Sequence, residues 1–255
     1  MSLIGIIASS KKGAAAPVAG YNLWLDAADA TTFTFSSGSV VSQWSDKSAN
    51  AYAFTQGTVA NQPSRSTTQN SLSTVLYDGT NDSLISTATA STWTFLSNGD
   101  GATVFFVGKS TKSSAAFSCS LVTSNFGTDS VGITDFFYNN LFYVDTFRGV
   151  SGTDIFSNVA YTGSTWNVFS YYLDQDNATA ADKIRLYKDD GSVNTSTGNH
   201  LGSNSNPFRT LTIGGITTDS SFFAGEMAEI IIYPSILSGT DRQANVDYLQ
   251  AKWGL

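Results

Sequence analysis

The sequence predicts an all-β sandwich followed by a single C-terminal helix, on three observations. Short stretches rich in β-branched and aromatic residues recur along the chain between breaks of Gly, Asn, Asp and Ser. The breaks include Asp78-Gly79, Asn98-Gly99, Asp100-Gly101 and Asp190-Gly191, residue types that tolerate the positive φ of tight turns. Helical spacing of apolar residues occurs at the C-terminal end, over Val246, Leu249 and Trp253.

In chain order, β-forming composition places strands at 21–25, 40–44, 74–77, 103–108, 117–122, 136–138, 141–147, 166–173, 183–188, 210–213 and 222–233. The stretch Ile184-Arg185-Leu186-Tyr187-Lys188 alternates with period two, as a strand with one buried face must. Asp190-Gly191 then turns it toward Ser192-Val193-Asn194 in a hairpin. Asn139-Asn140 reads as the turn of a second hairpin. For the helix, Ser238 is the N-cap, Asp241 three residues on is an acidic variant of the capping box, and Gly254 suits the stop. The chain of 255 residues fits one sandwich of about 200–250 residues. Residues 20–255 show neither an internal repeat nor a linker, so they form one domain behind a segment at 1–19.

Composition removes several classes of function. Thirteen basic against 20 acidic residues give a net charge of −7 with no basic cluster, the wrong sign for displacing counterions from phosphate, so no nucleic-acid partner is expected. The single cysteine, Cys119, excludes an intrachain disulfide and a Cys-rich zinc site. No apolar run approaches the about 20 residues of a membrane-spanning helix, so no membrane insertion is expected. Only 13% of residues are charged, so Ser, Thr, Asn and Gly carry the solubility.

The first residues, Met1-Ser2-Leu3-Ile4-Gly5-Ile6-Ile7-Ala8, place the apolar stretch ahead of Lys11 and Lys12, the reverse of a secretory signal. Ser follows Met, which excludes myristoylation. Ahead of the Ala14-Ala15-Ala16-Pro17 hinge, Leu3, Ile4, Ile6 and Ile7 would either add a strand to their own domain or dock as an arm into a partner. The hinge favours the arm.

Several blocks in the body resemble a concanavalin A-like jelly roll of the laminin-G-like type. Leu23-Trp24-Leu25-Asp26 with Trp44-Ser45-Asp46-Lys47-Ser48-Ala49-Asn50 resembles the opening strand and its "W-x-D-x-S-G-N" turn, Ala49 replacing Gly. Tyr77-Asp78-Gly79-Thr80-Asn81-Asp82 resembles "F-D-G-x-x-D". Trp166 leads a strand followed by Leu186-Tyr187-Lys188-Asp189-Asp190-Gly191, similar to "L-Y-x-D-G". Gly225-Glu226-Met227-Ala228-Glu229-Ile230-Ile231-Ile232-Tyr233 is similar to the closing strand. The resemblance spans about residues 20–255 and implies an antiparallel jelly roll with one short C-terminal helix and an extended N-terminal arm. The arm itself is similar to the start of many tailed-phage structural proteins.

Glycanases share this type of fold, and they need two carboxylates at a defined separation. The chain has two Glu, at 226 and 229. In a regular strand these point to opposite faces, so no catalytic pair is expected. His200 stands alone in a loop sequence without a Gly-x-Ser-x-Gly elbow, and Cys119 reads as a buried thiol. For cofactors, loop carboxylates in modules of this type point to Ca²⁺, with Asp78, Asn81 and Asp82 in one loop and Asp174, Asp176, Asn177 and Asp182 in another. The second loop is no EF-hand, because Thr179 and Arg185 stand where Gly and Glu are required. The other use of all these side chains is turn formation. The run from Asp135 to Asp145 mixes aromatic rings with amides and carboxylates, which suits sugar binding through Tyr138, Asn139, Asn140 and Tyr143. The competing reading is core alternation, with Phe136 and Tyr138 facing in; Trp24, Trp44, Trp93, Trp166 and Trp253 are read as core anchors.

The expectation for function is a non-enzymatic phage virion structural protein, made in the host cytoplasm and placed on the capsid or tail surface. Its partners would be other virion proteins, copies of itself in a symmetric or homo-oligomeric assembly, and a host-surface glycan. The alternatives are a stand-alone bacterial carbohydrate-binding module or adhesin and, third, a glycan hydrolase.

Overall fold

Alternation along the longest strands sets the architecture. In a computed structural model, described for residues 16–112, 116–125, 130–149, 154–216 and 221–255, the strand Ala224–Tyr233 is buried along its whole length and is the hub of the fold. It pairs antiparallel with Ala102–Ser110 on one side and with Leu23–Asp26 and Leu72–Asp78 on the other. Beyond Ala102–Ser110 the layer continues through Asn167–Leu173, Ile184–Lys188 and Asn194–Thr195. The facing layer runs Ala53–Thr55, Leu84–Ser86, Thr212–Ile213, Ser118–Val122, Val131–Tyr138, Leu141–Arg148 and Ile155–Ala160. Phe33–Ser37, Val40–Ser45 and Ser64–Gln69 join the two layers into one continuous ladder. The result is an antiparallel jelly-roll sandwich with one C-terminal helix, as the sequence predicts.

The inner faces meet in an aromatic core. Phe142 and Phe169 lie 4.3 Å apart between ring centres, Phe137 and Phe142 4.8 Å, and Phe106 and Phe169 6.1 Å. Trp44, Trp93 and Trp253 are fully buried. Trp24 and Trp166 pack only partly against the core, with an edge outside it. Beneath the turn at 46–50, the Asp46 carboxylate accepts from the main-chain N–H groups of Trp24 (2.7 Å) and Ser48 (2.8 Å), and the Asn50 amide donates to Asn22 O at 2.9 Å. That turn thereby clips the opening strand in place.

The helix runs Gly239–Trp253, with Ser238 accepting from Asp241 N and Gly254 in the left-handed conformation at its end. Its Val246, Leu249 and Trp253 are buried, as their spacing requires. Val18 is tied to the same region: its N–H donates to Asn245 Oδ1 at 2.9 Å and its carbonyl accepts from the Tyr233 hydroxyl at 2.6 Å. Leu3, Ile4, Ile6 and Ile7 lie outside the described residues.

Asn139 and Asn140 adopt φ of 49° and 60° and close the hairpin between Val131–Tyr138 and Leu141–Arg148. The Ile184–Lys188 hairpin forms with a longer loop than expected: pairing resumes at Asn194 and Thr195, and positive φ falls on Asp189. Strands at Phe33–Ser37, Ala53–Thr55, Ser64–Gln69, Leu84–Ser86 and Ile155–Ala160 are additions to the sequence reading. Ser64–Gln69 has no apolar residue at all, and its partner Leu72–Asp78 sets its conformation.

Candidate functional site

The hairpin Val131–Tyr138/Leu141–Arg148 sorts its side chains by register. Phe136 stands opposite Tyr143, Thr134 opposite Asp145, and Asp145 opposite Phe156 on the next strand. Opposed residues share a face, so these side chains share the outer face, while Phe137, Phe142 and Val144 point into the core. This corrects the core-alternation reading: Phe136 belongs to a separate outer cluster with Cys119 and Val122, against which Tyr138 and Tyr143 pack.

The outer rings form a stepped platform. Phe136 and Tyr143 stack at 4.8 Å and 4°. Phe117 and Tyr138 stack at 4.8 Å and 17°, and Phe117 meets Phe136 edge-on at 5.3 Å. Phe156 lies 6.0 Å from Tyr143. With Asp145 and Asp154 these five rings line an open cavity of about 230 Å³. Phe117 is 41% exposed at the rim.

Asp145 is only 7% exposed, and its Oδ1 has no hydrogen-bond partner. Burial pushes its carboxyl up to about 8; repulsion from Asp154 adds to the rise, the Thr146 N–H opposes it, and Asp135 on the inner face adds further. Asp135 itself is fully buried and accepts from the Tyr171 hydroxyl, and burial likewise raises it well above the carboxylate range. The cavity therefore offers aromatic faces beside a carboxyl that is largely neutral at pH 7 and can both donate and accept.

Of the residues read from sequence as sugar contacts, Tyr138 and Tyr143 line this cavity, whereas Asn139 and Asn140 form the exposed turn beyond it. Phe117, Asp154 and Phe156 come from other segments, and only the strand register brings them in. The Ca²⁺ candidates are engaged locally. Asp78 Oδ1 accepts from Thr80 N (2.7 Å) and Asn81 N (3.3 Å), and Asp82 Oδ2 accepts from Asp78 N at 2.9 Å. Asp174 Oδ2 accepts from the Asn177 amide at 2.9 Å, and Asp176 Oδ1 from Gly202 N at 2.7 Å. Asn177 Oδ1 caps Thr179 N at 2.9 Å. Burial raises Asp82 to about 6. Among the described residues no three His, Cys, Asp or Glu side chains converge as a metal cage.

Glu226 and Glu229 depart from the expected geometry. A register shift between Met227 and Glu229 inserts Ala228 as an extra residue, so Glu226 opposes Lys109 and Glu229 opposes Val107. Both carboxylates therefore share the outer face. Each is committed to partners: Glu226 to Lys109 at 2.8 Å and Thr74 at 3.0 Å, Glu229 to four donors beneath the helix. His200 is buried, with Nδ1 2.7 Å from Leu201 O and Nε2 3.1 Å from Thr146 O, a staple between loop and strand.

No protein-family model and no curated protein matches the chain. Solved structures match it by shape. It is similar to the botulinum neurotoxin serotype C1 binding domain, with a TM-score of 0.58 and 10% identity over 91% of this chain and 52% of that one. The binding domain of botulinum neurotoxin DC in complex with SialylT gives 0.55 and 10% over 91% and 51%. The CBM40 of the Ruminococcus gnavus IT-sialidase, bound to alpha2,3 sialyllactose, gives 0.43 and 15% over 56% and 80%. The chain thus spans about half the length of the neurotoxin binding domains it matches. At these identities the likeness to the neurotoxin binding domains bears on the fold alone, and it agrees with the jelly-roll sandwich described above.

Proposed function

We propose that the chain is a non-enzymatic, lectin-like protein that binds glycan in the groove formed by Phe117, Phe136, Tyr138, Tyr143, Asp145, Asp154 and Phe156. The observation that carries the proposal is the pairing of an open aromatic platform with Asp145, a buried carboxyl that has an unpartnered oxygen. Ring faces cover the C–H surface of a sugar, and carboxyls take its hydroxyls. The commitment of Glu226 and Glu229 to their own partners supports a binding role over hydrolysis. The setting on a virion surface belongs to the same proposal through Leu3, Ile4, Ile6 and Ile7, read as an arm that docks on other virion proteins.

The test is a glycan array probed with the full chain and with Tyr143→Ala and Tyr138→Ala. The proposal predicts a defined set of bound glycans and a loss of about tenfold or more in each variant, the scale of removing one stacked ring. A bound set that neither variant weakens, or an array with no bound glycan, overturns it.

A further inference from the structure

We infer that the groove selects glycans carrying an unsubstituted, protonated amine over neutral and anionic ones. This rests on the glycan-binding reading and names its ligand class. The argument begins with charge. Two carboxyls line the cavity, and no Lys, Arg or His is among the described residues that do so.

Three other well-shielded carboxylates have a cation at hand, whereas Asp46, Asp82 and Asp135 show none among the described residues and accept from N–H or O–H donors instead. Asp26 has Lys47 at 3.0 Å and Lys252 at 2.7 Å, Glu226 has Lys109 at 2.8 Å, and Glu229 has Lys252 at 2.8 Å. Asp145 is as shielded as Asp26, yet its Oδ1 is unpartnered, and the nearby charge at Asp154 repels it. With no cation beside it, burial keeps Asp145 protonated, and an ammonium group in the cavity would favour its ionised form and pair with it. The rings add a second attraction. Phe136 and Tyr143 lie parallel, with Phe117 edge-on to Phe136 and Phe156 tilted 49° from Tyr143, so the rings that line the cavity lie in several orientations. Aromatic faces carry partial negative charge, and a ring that presents one to the cavity attracts ammonium groups. An anionic sugar would find no cation among the described lining residues and would meet Asp154 and the same ring faces, which disfavours it. The volume, about 230 Å³, lies below the ~300–1,000 Å³ of pockets for drug-sized ligands and suits one sugar ring.

The experiment is calorimetric titration of the full chain with a glucosamine oligomer, an N-acetylglucosamine oligomer, sialyllactose and tetramethylammonium chloride. It is repeated on Asp145→Asn and on Asp154→Asn, whose exposed position spares the fold. The glucosamine oligomer should bind at least about tenfold more tightly than its acetylated counterpart, and sialyllactose should not bind. Asp145→Asn should abolish the preference and Asp154→Asn should weaken it by about twofold to fivefold. An acetylated oligomer that binds as tightly, or a preference that survives Asp145→Asn, overturns the inference while leaving glycan binding intact. Tetramethylammonium bound with every sugar rejected overturns the glycan reading and keeps the cation site. Rejection of all four ligands overturns both.

Discussion

Glu229 and Asp145 stand on the outer faces of opposite layers, and the protein treats them in opposite ways. Glu229 is completely buried beneath the helix, and its two oxygens accept four hydrogen bonds: Trp24 Nε1 at 2.7 Å, and the Tyr248 hydroxyl, Lys252 Nζ and Trp253 Nε1 each at 2.8 Å. Lys252 also reaches Asp26, which Lys47 grips from the other side. Burial raises Glu229, and Lys252 opposes that rise. Asp145 is almost as buried, but it is covered by an open cavity instead of a helix, and one oxygen has no partner. A carboxylate saturated by its own chain holds the architecture together. One left unsaturated beside aromatic faces is available to a ligand.

The strongest way to break this comparison is to remove the saturated carboxylate. Glu229→Ala leaves Lys252 without one of its anions and three further donors without an acceptor, so it should destabilise by about 3–5 kcal/mol in urea unfolding. A change below about 1 kcal/mol would contradict the structural role given to the hub.

The next prediction concerns pH. Asp145 has its native pKa raised from 3.8 to about 8, so the folded state keeps a proton that the unfolded chain releases. Stability from this group is present below pH 3.8 and is lost as pH rises through about 8. Asp154 and Asp135 act on it in the same direction. Asp145→Asn should therefore flatten stability against pH by up to about 1.4 kcal/mol per unit in that window, leaving the variant the more stable form on the alkaline side. Urea midpoints across the window check this, and an unchanged slope would show that Asp145 titrates normally. Asp29 has the opposite sign. Its hydrogen bonds to the Thr31 hydroxyl and to Lys47 hold it at about 2, so its contribution is lost only in strong acid.

A smaller effect separates helix from groove. Ser238→Ala removes the N-cap and should cost about 1 kcal/mol in thermal or urea unfolding while leaving ligand affinity unchanged. Weakened binding would mean that the two faces are coupled. The smallest effect is expected from EDTA, because one oxygen of each of Asp78, Asp82, Asp174 and Asp176 is already held by an N–H donor and no three such side chains converge among the described residues. The melting temperature should be unchanged in EDTA, and a clear fall would assign Ca²⁺ to one of these loops.

The comparison also shows where the sequence was readable. The helix was legible to its caps, because Ser238, Asp241 and Gly254 act through local chemistry. The central strands were legible because they are long and apolar. Tyr138 and Tyr143 were legible because Asn139-Asn140 fixes the hairpin and hence their common face. Asp154 and Phe156 were hidden, since only a neighbouring strand's register delivers them. The shared face of Glu226 and Glu229 was hidden by the extra residue at Ala228, a two-against-one pairing with no local sequence mark. Ser64–Gln69 was hidden because a polar strand owes its shape to its partners.

The most direct test of the account is a carboxyl ¹³C NMR titration of Asp145 and Glu229 in the full chain, free and saturated with glucosamine oligomer. The account predicts that Asp145 titrates near 8 when free and moves to lower pH with ligand, while Glu229 does not respond to it. An Asp145 signal that titrates in the ordinary carboxylate range and ignores the ligand would contradict it.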